Sequence, residues 1–192
     1  MSTQVPSQAR LPQAAIRPAL DADLAPFFAY LDDHLRDNGS DGTPLFQPQG
    51  RDQQRLPPGL RLSFIKGLHL AVGEPGWRRL WLALGPGGDI VGHIDLRSRP
   101  EPGARHRAML GMGVHRAWRR RGLGRSLVAT ALDWARGADG GVAWIDLEVM
   151  SDNLPACELY VRSGFASVAR VADMLRIDGV SYDLSYMTLK LG

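Results

Sequence analysis

The segment "HRAMLGMGVHRAWRRRGLGRSLVATALDWA" (106–135) constrains the fold most, because it joins two incompatible hydrophobic periods through one short loop. "HRAMLGMGVH" reads as a strand. From Gly122 onward Leu123, Leu127, Ala131 and Trp134 recur at steps of four, four and three, with Val128, Leu132 and Ala135 widening the stripe, so a helix ending at Gly137 follows. Between them stands "RRRGLG" (119–124). A strand that feeds a glycine-bearing loop opening a helix gathers unpaired backbone N–H groups and the positive end of the helix dipole at one point, which is a phosphate-binding geometry. Gly122 and Gly124 supply unusual backbone angles and keep side chains out of a ligand's way, while the arginines add charge at the rim. No Gly-Lys-Ser/Thr follows, and the three-glycine dinucleotide spacing is missing, so neither a nucleotide-hydrolysing loop nor a dinucleotide fingerprint is present.

The flanking sequence supplies the rest of one α/β domain. "AAIRPA" (14–19) alternates like a first strand. "DADLAPFFAYLDDHLRD" carries Leu24, Phe27, Phe28, Leu31 and Leu35 at helical spacing, and a second helix is expected from Leu60 to Val72 with Phe64, Ile65 and Leu68 on its stripe. Between them "NGSDGTPLFQPQG" is a long loop of the sort that covers binding sites. Strands at 79–84 and 89–97 flank the turn "GPGG" and should pair as a hairpin. Gly111 and Gly113 inside the next strand are anomalous, since glycine there weakens pairing or admits a close neighbour. "VAWIDLEV" is a buried strand, Asn153 and Pro155 open a helix stopped by Gly164, and Asp178-Gly179 turns a final hairpin. Tyr182, Leu184 and Tyr186 alternate, but Met187, Leu189 and Leu191 continue one residue out of phase, which predicts a bulge near Tyr186. Residues 1–13 are expected to be a flexible segment and 14–192 a single domain.

Composition excludes several classes. At 192 residues, 44% hydrophobic and 22% charged, the chain is neither disordered nor fibrous. Its net charge of +3 is modest, and the excess clusters between Arg97 and Arg125, which suits an anionic small ligand better than a nucleic acid. A lone Cys157 rules out an internal disulfide, and no thiol–histidine cluster has metal-site spacing, so no metal is expected. Neither a signal-peptide core nor a membrane-length apolar run occurs, and the expected location is cytoplasmic with no membrane partner.

"GVHRAWRRRGLGRSLVATALDWA", followed after a strand by "LEVMSDNLPACELYVRSGF", resembles the GNAT superfamily of N-acyltransferases over roughly Gly92 to Leu191. The resemblance implies a central mixed, mostly antiparallel sheet of six to seven strands flanked by about four helices. It also implies acetyl-coenzyme A as co-substrate. Arg119, Gly122 and Gly124 fall on the superfamily's Arg/Gln-x-x-Gly-x-Gly/Ala loop, and the implied contact with the pyrophosphate runs through Arg119, Arg120, Arg121, Gly122, Leu123, Gly124 and Arg125. Met112, Gly113 and Val114 lie where the family's strand pairs with the pantetheine arm, and Asn153 and Tyr160 match its second signature, an Asn followed seven residues later by Tyr and then Gly-Phe.

Acyl transfer from a thioester by direct attack through a tetrahedral intermediate needs a neutral amine, an oxyanion stabiliser and a proton for the departing thiolate. Tyr160 resembles the family's proton donor. Glu148, in "LEV", resembles the proton acceptor of bacterial ribosomal-protein alanine N-acetyltransferases; no acid stands in 107–115, where other members carry one. Asp95, His93 and His115 are substitutes in principle, and Cys157 has no neighbouring base. At pH 7 an α-amine of pKa about 7.8 is roughly 14% neutral and a lysine roughly 0.04%, a gap of about 3.5 kcal/mol that a strong base would have to cover. The expected acceptor is therefore an α-amine of a small metabolite, amino acid or peptide N-terminus. The missing strand acid leaves a weakly catalytic acyl-coenzyme A sensor as the alternative, and a homodimer would be in keeping with the superfamily.

Overall fold

β-Branched and large apolar residues in alternation build a seven-stranded sheet in the order β1-β2-β3-β4-β5-β7-β6. The computed structural model describes residues 14–40, 42–137 and 141–192; the expected flexible segment 1–13 lies outside them. The strands are β1 Ala15–Pro18, β2 Arg78–Leu84, β3 Ile90–Ser98, β4 Arg107–Val114, β5 Trp144–Met150, β6 Ala166–Ile177 and β7 Val180–Lys190. The helices are α1 Leu24–Leu35, α2 Pro58–Gly67, α3 Leu123–Arg136 and α4 Leu154–Arg162. All neighbours pair antiparallel except β4 and β5, which are parallel and joined through α3. This is the mixed α/β arrangement expected from the sequence.

The two faces of the sheet are covered differently. On one, Ile94, Leu96, Ala108, Leu110, Ile145 and Leu147 pack under the apolar stripe of α3 (Leu127, Val128, Ala131) together with Tyr160 and Phe165. On the other, Leu80 and Leu82 meet Phe27, Phe28 and Leu31 of α1 and Phe64 of α2. Burial of two such faces is the main favourable term in the fold.

Two local readings are corrected. The second helix ends at Gly67, not Val72, because Gly67 lies flush against the Gly76 carbonyl and Arg78, where a Cβ would come within 2.6 Å of the oxygen. It buries Phe64 but leaves Leu60, Leu62 and Ile65 exposed, while Leu70 and Val72 turn round the sheet edge to the α3 side. No bulge interrupts β7, which keeps one register against β5 from Lys190 to Leu184. Its apolar phase changes because Leu184 and Tyr186 lie under Leu45 on the α1/α2 face, whereas Met187 and Leu189 face the opposite core. Pairing breaks instead on β6, at Val168 opposite the Tyr186–Met187 step and again between Val171 and Leu175. The final turn is as expected: Asp178 and Gly179 both have positive φ, 50° and 78°, as a two-residue hairpin turn requires.

Buried histidines sit on the α1/α2 face. His93 of β3 lies against Phe27, with Tyr30 Oη 3.5 Å from its Nδ1, and His34 of α1 stacks on Tyr30. Burial, aided by Arg78, pushes His93 down to about 4 despite the opposing pull of Asp95. Burial, with His93 and Arg119 nearby, pushes His34 down to about 3. Both are neutral in the fold at pH 7 but charge below about pH 6.5 once the chain unfolds. Stability present above pH 6.5 should therefore drain away as the pH falls towards 4, by about 2 kcal/mol per histidine at pH 5. Chemical denaturation from pH 7 to 4.5 checks this, with His93→Gln expected to flatten the loss by about half.

Candidate functional site

Parallel pairing of β4 and β5 lasts only three residue pairs, Arg107 with Trp144, Ala108 with Ile145 and Met109 with Asp146. Beyond them the strands diverge, and Leu110–Val114 on one side and Glu148–Met150 on the other line an open cleft of about 1290 Å³. The other edge of β4 stays paired with β3 as far as Val114, so the backbone groups that β4 turns towards β5 are left for a ligand.

At the end of β4 the chain makes a short 3₁₀ turn, Arg116–Trp118, and passes through left-handed backbone at Arg120 (φ 60°) and Gly122 (φ 82°) into α3. Gly122 carries the unusual angle that the sequence suggested. Gly124 is ordinary helix, and its missing side chain serves close packing: a Cβ there would lie 3.1 Å from Leu159 of α4 and 3.5 Å from Met112. The first α3 turn is thereby pressed between β4 and α4. Ser126 N–H is the first to find a helical acceptor, on the Gly122 carbonyl at 3.2 Å, so the amides before it have no helical acceptor, as at any helix N-terminus.

The arginines divide by task. Arg119 donates through Nε to the Val114 carbonyl (3.1 Å) and pairs with Asp37 of the segment after α1 (3.2 Å). Arg116 also pairs with Asp37 (2.9 Å) and with Asp33 (3.1 Å), so both tie the loop to α1. Arg121 lies over the Trp118 ring and is not itself part of the cleft lining, and Leu123 is buried in the core with only its backbone placed to act. Arg120 and Arg125 line the cleft with no ion-pair partner among the described residues.

Asn153 caps α4 by accepting from Ala156 N–H (3.4 Å), with Pro155 in the first turn. That cap fixes the helix which carries Tyr160 to the cleft wall, where its ring packs edge-on against Phe165 at 5.8 Å. Burial, and secondarily Cys157, pushes the phenol well above its ordinary range, so it stays a neutral donor. Burial likewise pushes the Cys157 thiol up, which disfavours it as a nucleophile. Glu148 is exposed on β5, pointing to the α1/α2 face beside Tyr186, and lines the same cleft with no ion pair among the described residues.

The substitutes for a base are otherwise engaged. His93 is sealed in the core, Asp95 is held between Arg78 (3.0 Å) and Arg97 (3.3 Å), and His115 accepts from Ala117 N–H and lies 3.6 Å from Asp33. Gly111 and Gly113 acquire a reason that the sequence could not supply. A Cβ on Gly111 would come within 2.7 Å of Asp95 and 2.9 Å of Arg97, and one on Gly113 within 2.7 Å of both His34 and His93. Side chains from β3 and α1 fill the space that β4 leaves empty.

The loop 38–50, of the sort that covers binding sites, does lie against the cleft. Residues 42–48 lie over its α1/α2 side, with Leu45 buried against Met150 and Leu184 and Phe46 packed on His34. Asn38 holds this loop with its whole amide: Oδ1 accepts from Phe46 and Gln47 N–H (2.8 and 2.9 Å), and Nδ2 donates to the Gln47 and Gln49 carbonyls (3.1 and 3.2 Å). In "NGSDG" it reads as one turn former among several, and only its burial marks it out. Among the described residues no group of three or more candidate ligands could hold a metal, and no helix is long and apolar enough to cross a membrane.

Comparison with known proteins bears on the family and the fold. The family model described as Acetyltransferase (GNAT) family matches residues 53–165. The L-amino acid N-acetyltransferase AaaT of Escherichia coli strain K12 is 32% identical over 96 residues, which are 48% of this chain and 55% of that protein, so the chain spans about half the length of this curated relative. The acetyltransferase of GNAT family from Streptococcus pneumoniae has the same fold, with a TM-score of 0.76 at 23% identity over 94% of this chain and all of that one. So does yncA from Salmonella typhimurium, solved with its cofactor acetyl-CoA, with a TM-score of 0.76 at 22% identity over 93% of this chain and 94% of that one.

Loss of the loop anchor should be selective. Asn38→Ala orphans four backbone groups and should cost about 1–3 kcal/mol, read as a lower Tm. Coenzyme A binding, measured by calorimetry, should hardly change, because α3 and β4 are untouched.

Proposed function

The chain belongs to the GNAT acetyltransferase family, and from that premise we propose that it transfers an acetyl group from acetyl-coenzyme A to a primary amine. The observation that carries this reading is the cleft between β4 and β5, which has a helix N-terminus at one end and a neutral phenol and a free carboxylate in its walls. The amides of Leu123, Gly124 and Arg125, with the Arg120 and Arg125 side chains, would hold the diphosphate. Met112, Gly113 and Val114 offer strand backbone to the amide-bearing arm, apart from the Val114 carbonyl that Arg119 occupies. The thioester supplies the acyl group.

The chemistry divides between the two faces of the sheet. Tyr160 comes from the α3/α4 side and Glu148 points to the α1/α2 side, so leaving group and nucleophile are served from opposite sides. Glu148 takes the proton that the ammonium must lose before nitrogen can attack. The buried Tyr160 hydroxyl donates to the departing sulfur, and the low-polarity wall that raises its pKa also raises the basicity of a thiolate released beside it. With one exposed carboxylate as base, an α-amine is the acceptor best matched to the site. A cytoplasmic location accords with this metabolite chemistry.

Amine-dependent release of coenzyme A thiol tests the reading. Tyr160→Phe should lower kcat roughly 10²-fold with little change in KM for acetyl-coenzyme A. Gly122→Ala, forced into left-handed backbone at a cost of about 1–2 kcal/mol, should instead weaken coenzyme binding roughly 5- to 30-fold. Tight coenzyme binding with no thiol release across a broad amine panel would replace catalysis with a sensor role.

A further inference from the structure

The cleft contains a cation that the acetyl-transfer chemistry does not use. Arg97 lies one residue before the end of β3 on the α1/α2 face, where it pairs with Met109 of β4 in the sheet register. Its guanidinium leans over Gly111, with Nη1 2.9 Å from the position of the missing Cβ. Two residues beyond the last paired step of β4 and β5, Met109 and Asp146, stand Gly111 and Glu148, level across the opening and on one face. Arg97 and Glu148 therefore occupy opposite lips of the same stretch of cleft, and no ion pair joins them.

Arg97 is held in place from below. Its Nη1 lies 3.3 Å from Asp95, whose other partner is Arg78 at 3.0 Å. Arg78 and Asp95 are almost completely buried, at 6% and 4% side-chain exposure, and the Phe64 ring caps Arg78 at 3.7 Å. Arg97 alone of the three, at 34%, reaches solvent. Two guanidiniums share one carboxylate, so the trio carries a net positive charge presented to the cleft through Arg97. A buried network with an excess charge is costly unless an anion completes it.

We propose that Arg97 binds an anionic group on the acceptor, so that the substrate is an amine bearing a carboxylate close to its nitrogen, a free amino acid in zwitterionic form. The ammonium faces Glu148, the carboxylate faces Arg97, and Gly111 between them keeps the floor open. A peptide N-terminus lacks the adjacent carboxylate, which separates this acceptor class from the other α-amines. Arg97 fixes where the nitrogen waits and takes no proton; it is a specificity-determining residue. The inference rests on the acetyl-transfer reading of the same site.

The test offers a panel of L-amino acids, each as the free acid, as its amide and as the first residue of a tripeptide, with thiol release as the readout. The wild type should favour the free acid over its amide at least 10-fold in kcat/KM. Amine reactivity works against this preference, since the amide's nitrogen is the less basic and more often neutral at pH 7. Arg97→Met should raise KM for the free acid roughly 10- to 100-fold, the range for a lost charge-assisted hydrogen bond, and leave the amide and acetyl-coenzyme A binding unchanged. Arg97→Lys should recover part of the loss, which a merely structural role would not predict. Equal turnover of acid and amide by the wild type, or an equal loss of both in Arg97→Met, overturns the proposal. Acetylation confined to uncharged or cationic amines overturns it while the transferase reading stands; acetyl-coenzyme A binding with no acceptor of any charge removes both.

Discussion

The parting of β4 from β5 after Met109 and Asp146 is the constraint on which the rest depends. A parallel pair in the middle of a sheet would normally zip along its whole length, since each unmade bond strands a donor or an acceptor. Here α3 and α4 meet at Gly124 and Leu159, on the face towards which the gap opens, and the loop before α3 ends beside Met112. The sheet is completed to its end on both outer sides, by β3 against β4 and by β7 against β5, so the opening is held by strands that cannot close it. What should fill it is a ligand with amides along its length and a diphosphate at one end.

Much of this was legible in the chain. The change of period at Gly122 located strand, loop and helix, and the spacing of Asn153, Tyr160, Gly164 and Phe165 located α4, because both are local patterns enforced by backbone geometry. Tyr160 and Glu148 both line the one cleft. What stayed hidden was non-local. Arg119 reads as a phosphate ligand but spends its side chain on Val114 and Asp37, and Arg97 reads as one more strand residue until Asp95 and Gly111 are seen around it. The phase change in β7 reads as a bulge because periodicity reports which side chains are buried, not which of two covered faces buries them.

Glycine and charge work together in the site. Gly111 and Gly113 vacate one face of β4, and β3 and α1 refill it with Asp95, Arg97, His34 and His93, so the floor of the cleft on the α1/α2 face is built from neighbouring elements. Arginine is used three ways within a short span: Arg116 and Arg119 brace the loop against α1, Arg120 and Arg125 line the cleft near the start of α3, and Arg97 lines it beside Gly111. The cluster of positive charge noted in the sequence is thus a set of separate tasks and not a single patch.

Amide hydrogen exchange with and without acetyl-coenzyme A bears most directly on the claim that unpaired backbone receives the ligand. Slower exchange on binding is expected, concentrated in segments 110–114 and 122–126. Binding without protection of those segments, or protection centred elsewhere, such as the groove between Ala19, Leu68 and Trp134, would contradict it.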